Sequence, residues 1–200
     1  MRKLLVVFGF AVAAPALALA SAPVTSGAYN DAMLIAYNPA TGQVSGYFDM
    51  TQDGPPAFAC IFYLHGKLAG TSAAIATDFP AAPKEVIKGK LTLSDPKHFT
   101  ILLKPDPGGC GNLEPFDDPS MPASFDLASA HPWTQIVVVK SAKAYFYDAP
   151  GAAAHRKAYV VQGDGLGVRA SRPGWVQVDY TGGDTPVSGW VKTTDLYPTP

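Results

Sequence analysis

Trp133-Thr-Gln-Ile136-Val-Val-Val-Lys140, Ala144-Tyr-Phe-Tyr147, Ala158-Tyr-Val-Val161, Gly163-Asp164, Gly174-Trp-Val-Gln-Val-Asp-Tyr180, Gly189-Trp-Val-Lys192 and Asp195-Leu196 follow one another through the last third of the chain. Each run is short, β-branched or aromatic, and cut by Gly, Pro or Asp, which is the pattern of an all-β barrel. Tyr145 and Tyr147 alternate with Phe146, and Trp175 stands out of phase with Val176, Val178 and Tyr180. Successive strand residues face opposite sides, so one set fills the barrel and the other lies under loops or faces water. A Trp combines a large contact area with a polar handle. Tyr145, Tyr147, Trp175 and Trp190 are therefore the candidate binding surface. The plainer alternative is that the two Gly-Trp residues pack the barrel core. Lys143, Arg156, Lys157, Arg169 and Arg172 add a mildly basic rim.

Upstream, Gly27 to about Pro105 also reads as strands. Ala32–Tyr37 and Gln43–Asp49 flank Asn38-Pro-Ala-Thr-Gly42, a hairpin signal in which Pro presets φ and Gly closes the turn. Ala57–Leu64 and Thr71–Thr77 follow. Glu85–Leu93 and Phe99–Leu103 then flank Ser94-Asp-Pro-Lys97. Six strands with short turns predict an antiparallel meander or a small up-and-down barrel. Gly89 interrupts the alternation in its strand and marks a bulge or a close approach of backbones. Leu113 to Pro132 holds four prolines with Asp and Ser, and reads as a connector, although Phe116 and Phe125 imply that it packs on something.

Arg2-Lys3, the apolar run Leu4–Val12 and Ala18-Leu19-Ala20 have the layout of a secretory signal peptide with cleavage after Ala20. The run is broken at Pro15 and is short for a membrane span, and no Cys follows the site to carry a lipid. No other segment is long and apolar enough to span, so the expected location is periplasmic or secreted, with no membrane span in the mature chain. The expected division is 1–20 signal peptide, 21–112 a first β domain, 113–132 connector, and 133–197 a second β domain.

The formal net charge is −1. Without a basic surplus to neutralise phosphates, nucleic acid is not expected as a partner. The chain has 2 cysteines, Cys60 in a strand and Cys110 in the loop Pro105–Asn112. An oxidising compartment makes a disulfide between them the default. That bond would pin the loop to the first domain.

No constellation reads as catalytic. His65, His98, His131 and His155 share no metal-ligand spacing with one another or with Cys, so no metal or cofactor is expected. Asp117-Asp118 precedes a proline and reads as a turn rather than an acid–base pair, which needs separated environments. Neither cysteine opens a helical pattern that would activate a thiol, and no G-x-S-x-G elbow is present.

The order of runs in residues 133–197 resembles the bacterial SH3-like domain family (SH3b). In that family a strand enters a proline-containing loop, here Ala149-Pro150. A V-x-x-G-D turn follows, here Val160 to Asp164, then a G-W-x-x-V strand, here Gly174 to Val178. A closing G-W-V, here Gly189 to Val191, precedes an acidic residue and Leu, here Asp195-Leu196. The resemblance covers about a third of the chain. It implies an SH3-like barrel and a binding role, commonly in the cell envelope, but names no ligand. The expectation is an exported, non-enzymatic binding protein of the bacterial envelope that recognises peptidoglycan or an envelope protein. The alternative is a periplasmic inhibitor or immunity protein against a cell-wall hydrolase.

Overall fold

The computed structural model describes residues 23–30, 32–79, 82–183 and 185–199; the signal peptide expected over residues 1–20 lies outside them. The described chain is all-β. Strands β1 (Gly27–Tyr29), β2 (Met33–Asn38), β3 (Gln43–Gln52), β4 (Phe58–Ala69), β5 (Ser72–Phe79), β6 (Ala82–Asp95), β7 (His98–Lys104) and β8 (Ala123–Ala130) form a closed antiparallel barrel. Each strand pairs with the next in sequence, and β8 returns to β1. Closure leaves no sheet edge open for pairing with another chain. The turns are built as their residues demand. Asn38 Oδ1 accepts the Ala40 N–H at 3.0 Å, and Gly42 takes φ +73° before Asn38 pairs with Gln43. Asp95 Oδ1 accepts the Lys97 N–H at 2.7 Å in the β6–β7 turn.

Alternate residues point inward and fill the barrel. Met33, Ile35, Phe48, Phe62, Leu64, Leu91, Phe99, Ile101, Leu103 and Phe125 are all buried in one core. An eight-stranded barrel is just wide enough for side chains to fill. Space is so tight that a Cβ on Gly46 would sit 2.7 Å from the Ile35 side chain, and one on Gly89 would collide with Leu103 and the Leu102 carbonyl. Gly89 is thus a close approach and not a bulge. The register runs unbroken from Lys88↔Lys104 to Leu93↔Phe99, and the irregularity falls later, between Leu93 and Asp95.

Cys60 and Cys110 are joined in a disulfide. The bond holds the short turn Cys110–Asn112 against β4, and the chain beyond it feeds Phe116 into the barrel. The Phe116 ring meets Phe62 at 5.1 Å and Phe48 at 5.3 Å between centroids, both edge-on. Its N–H donates to Asp106 Oδ1 at 2.8 Å.

The expected connector over 113–132 needs correction. Its second half is β8, the strand that closes the barrel. Ala123, Phe125 and Leu127 pack toward the core while Ser124 and Asp126 face out, a period-2 pattern that the surrounding prolines obscure in the sequence. The link between barrel and second unit shortens to His131-Pro132.

The second unit combines a four-stranded sheet, ordered β14 (Val187–Lys192), β13 (Trp175–Tyr180), β12 (Gly165–Arg172), β9 (Gln135–Val138), with a two-stranded ribbon of β10 (Ala144–Tyr145) and β11 (Tyr159–Val160). Isolated bridges Val139↔Leu196 and Tyr147↔Trp190 tie these pieces together. Val137, Phe146, Val160, Leu166, Val168, Val178 and Val191 form its own core.

A third cluster joins the units. Trp133, Ile136 and Val138 pack on Ala36, Tyr47 and Tyr63 of the barrel's outer face. The Ile136 N–H donates to Ser45 Oγ at 2.9 Å. Glycines make this seam possible. A Cβ on Gly165 would lie 2.6 Å from the Tyr47 ring, and one on Gly167 would collide with the Trp133 indole. Trp133 donates its Nε1–H to Asp179 Oδ2 at 2.9 Å and is 2 % exposed.

Candidate functional site

The sheet register decides which side chains of the second unit face outward. Trp175 pairs with Lys192, Gln177 with Trp190, and Val176 with Val191. Directly opposed residues share a face, so Val176 and Val191 look into the core while Trp175, Gln177, Trp190 and Lys192 look out. The bridge from Tyr147 to Trp190 sets Tyr147 on the same outer face, and the buried Phe146 beside it faces the core.

Tyr145, Tyr147, Trp175 and Trp190 are all half-buried. Three of them join a continuous aromatic strip. The Tyr159 and Tyr145 ring centroids are 5.6 Å apart, and Tyr145 stacks on His155 at 4.0 Å. His155 meets Tyr147 edge-on at 6.1 Å, and Tyr147 meets Trp175 edge-on at 4.9 Å. Trp190 shares the outer face, but among the described residues no ring contact joins it to the strip.

Both ends of the strip carry a cation. Lys143 Nζ sits 4.4 Å from the Tyr159 centroid, and Lys192 Nζ lies 5.4 Å from Tyr147 and 5.9 Å from Trp175. Arg156 braces the loop that brings His155 into place. It bonds Asp148 Oδ1 at 2.6 Å through Nη2 and donates through Nη1 to the Ser188 carbonyl at 2.8 Å. The rim residue Arg169 instead reaches Asp179 at 3.6 Å, on the seam side. The strip offers flat apolar faces for stacking, with ammonium groups at its ends for an anionic group.

Residue spacing alone did not single out His155, Tyr159 or Lys192 as part of this surface. The only local signal was Tyr159 alternating with the inward Val160. His155 sits on a loop with no period to read.

The other singled-out residues fall elsewhere. Both cysteines are held in the disulfide, and no free thiol occurs among the described residues. Asp118 forms a turn, with Oδ1 accepting from the Ser120 N–H at 2.8 Å and from its hydroxyl at 2.7 Å, bonds that hold its carboxyl below the usual range. His98 bonds Asp95 at 2.6 Å in an exposed turn, and His131 stacks on Trp133 at 4.3 Å. Among the described residues no three His, Cys, Asp or Glu gather as a metal centre, and no helix is long and apolar enough to cross a membrane.

His65 differs from the other histidines. It lies on the outer face of β4 near Asp78 of β5, and His65 Nδ1 and Asp78 Oδ1 are buried without a hydrogen-bond partner. Desolvation pushes the Asp78 carboxyl above its ordinary value, partly offset by His65. A raised folded-state pKa favours the protonated carboxyl in the folded chain. Its stabilising effect is present at low pH and is lost as pH rises through that pKa. Asp78→Asn is therefore expected to stabilise the protein at neutral pH and raise its Tm. Thermal melts should show the gap closing as pH falls into the acid range. Parallel melts of the two proteins at every pH would contradict the assignment.

No family model, no curated protein and no solved structure matches the chain.

Proposed function

We propose that the protein is an exported, non-enzymatic binding protein of the bacterial envelope, and that its ligand lies along the Tyr159–Trp175 strip. The observation that carries this reading is the unbroken ring-to-ring contact from Tyr159 through Tyr145, His155 and Tyr147 to Trp175 on an outward face. A sheet whose core is already filled by Val178 and Val191 has no packing need for such a row. Stacked rings suit the apolar faces of sugars, and Lys143 and Lys192 suit carboxylates. Peptidoglycan combines both chemistries, and the resemblance of residues 133–197 to the SH3b family points to the same class.

The test is retention on purified sacculi, read beside thermal melts, for Tyr147→Ala, Trp175→Ala and Trp190→Ala. The two strip variants are expected to lose at least about 2 kcal/mol of affinity, as binding hot spots do. Their stability should fall by only about 1 kcal/mol, the common mutational value. Trp190→Ala should lose less affinity than either. A wild-type protein that ignores sacculi but forms a stoichiometric complex with a cell-wall hydrolase would overturn the peptidoglycan reading. It would support the inhibitor or immunity reading instead.

A further inference from the structure

Ser45 Oγ accepts the Ile136 N–H, which places Ser45 on the barrel face turned to the second unit. Gln43, two residues away on β3, shares that face. Ser45 pairs with His65, and Gln43 pairs with Lys67 on one side and Asn38 on the other. Directly opposed residues share a face, so these side chains stand together. With Thr134 and Gln135 of the second unit they line a cleft of about 230 Å³. That is below the roughly 300–1,000 Å³ of a pocket for a drug-sized ligand, and it suits a smaller one.

The groups gathered here are mainly donors. Asn38 Oδ1 already accepts the Ala40 N–H at 3.0 Å, and Gln43 Oε1 accepts the Thr41 hydroxyl at 3.4 Å. Both side-chain amide nitrogens are left to donate. The Lys67 ammonium makes no ion pair among the described residues. Among the described residues no Asp or Glu lines the cleft; Asp78 lies past His65, opposite Tyr63. On the facing wall Gln135 donates its Nε2–H to Thr199 Oγ1 at 3.0 Å, which leaves its Oε1 to accept.

His65 supplies a second and independent observation. Its Nδ1 is buried and has no hydrogen-bond partner among the described residues. Buried polar atoms are nearly always paired, and one that is not points to a missing ligand, ion or water. The charge beside the cleft has one sign. Ala74 and Ala76 of β5 pair with Lys67 and His65 on one side, and with Lys90 and Lys88 of β6 on the other. Lys88 in turn opposes Lys104 directly, a like-charge pairing that costs stability in a sheet. All four lysines are exposed, and such a patch raises the local concentration of anions.

We propose that this cleft binds the carboxylate of a small acylated amino acid, free or as the last residue of a peptide. Lys67 pairs with the carboxylate. The Asn38 and Gln43 amides and the His65 ring donate to its oxygens, and Gln135 Oε1 accepts the amide N–H of the ligand. An ionised carboxylate is an acceptor only, which matches the donors gathered here. One lysine in the cleft also matches its single charge, whereas a phosphate monoester carries about −1.5 to −2. The site is separate from the aromatic strip, and the proposal does not rest on the envelope reading.

The test is calorimetric titration of the full chain with N-acetylglycine at neutral pH and low salt, with the side-chain amide resonances followed in parallel. One-to-one saturable binding is expected, with shifts of the Asn38 and Gln43 amide signals. N-acetylglycinamide, which lacks the carboxylate, should not bind. Lys67→Gln should weaken binding about tenfold or more, the scale of a lost hydrogen bond to a charged group. Lys97→Gln, which removes the same charge from the β6–β7 turn, should leave it unchanged. An acetylated tetrapeptide acid that binds more tightly than N-acetylglycine assigns the site to a peptide end, and one that binds more weakly assigns it to the free acid. The proposal is overturned by absence of saturable binding at millimolar N-acetylglycine, by Lys67→Gln binding as tightly as wild type, or by saturation that leaves the Asn38 and Gln43 signals unmoved. Inorganic phosphate that displaces the acid would also overturn it and make the cleft a phosphate site.

Discussion

Replacing Cys60 and Cys110 together by alanine is expected to destabilise the protein by about 4 kcal/mol, the loop-closure entropy of a ring of about 50 residues. At a chain of this size that corresponds to a fall in Tm of roughly 8–16 °C. The bond does more than shorten the unfolded chain. It tethers the Cys110–Asn112 turn to β4, and the segment beyond supplies Phe116, which is fully buried among Phe48, Phe62 and Phe125. With the tether gone, the barrel ladders remain but the loop that seats Phe116 is free to leave. Denaturant unfolding of the double mutant, compared with wild type before and after reduction, checks this. Reduced wild type should match the mutant. A midpoint unmoved by reduction would contradict the expectation.

Trp133→Ala is expected to cost about 3–5 kcal/mol, the range for truncating a large buried aromatic. The indole covers Gly167, stacks on His131 and donates to Asp179. Its removal empties the centre of the seam and takes one donor from a carboxylate that Ser188 also bonds at 2.6 Å. Because the barrel and second unit each have their own core, the damage should appear as uncoupling. The variant should melt in two steps, the second unit first, where wild type melts in one. Trp133→Phe keeps much of the packing and loses only the N–H, so it should cost about 1–3 kcal/mol. A single transition in Trp133→Ala at the wild-type temperature would contradict a coupled seam. By the same reasoning a fragment beginning at Trp133 exposes Trp133, Ile136 and Val138 to water, and should be less stable than its own core alone would make it.

Local rules made much of this architecture legible. The period-2 runs and the turns at Asn38–Gly42 and Ser94–Lys97 mark strands wherever polar and apolar residues alternate between turn formers. Two cysteines in a chain expected to be exported leave one intramolecular pairing. The alternation of Tyr145 and Tyr147 about Phe146 separates two sets of side chains before any fold is known. Three strands escaped: β1, only three residues long, β8 and β12. β12 carries Gly165 and Gly167, poor strand formers on their own, and the reason for them is that Tyr47 and Trp133 occupy the space where side chains would be. β8 hides its alternation of Ala123, Phe125 and Leu127 among prolines.

The sites show the same boundary. From the sequence alone come the all-β class, the expected Cys60–Cys110 pairing and the placing of Tyr145, Tyr147, Trp175 and Trp190 out of phase with Phe146, Val176, Val178 and Val191, because each depends on residue type and on spacing within one strand or turn; which of the two sets faces out is decided by the sheet register. Only the tertiary structure brings His155 and Tyr159 into line with them, sets Lys143 and Lys192 at the ends, and packs Trp133, Ile136 and Val138 on the barrel's outer face. Those meetings depend on how the barrel's outer face docks against the second sheet. Docking is decided by the shapes and the missing Cβ atoms of residues far apart in the chain, which no local period records.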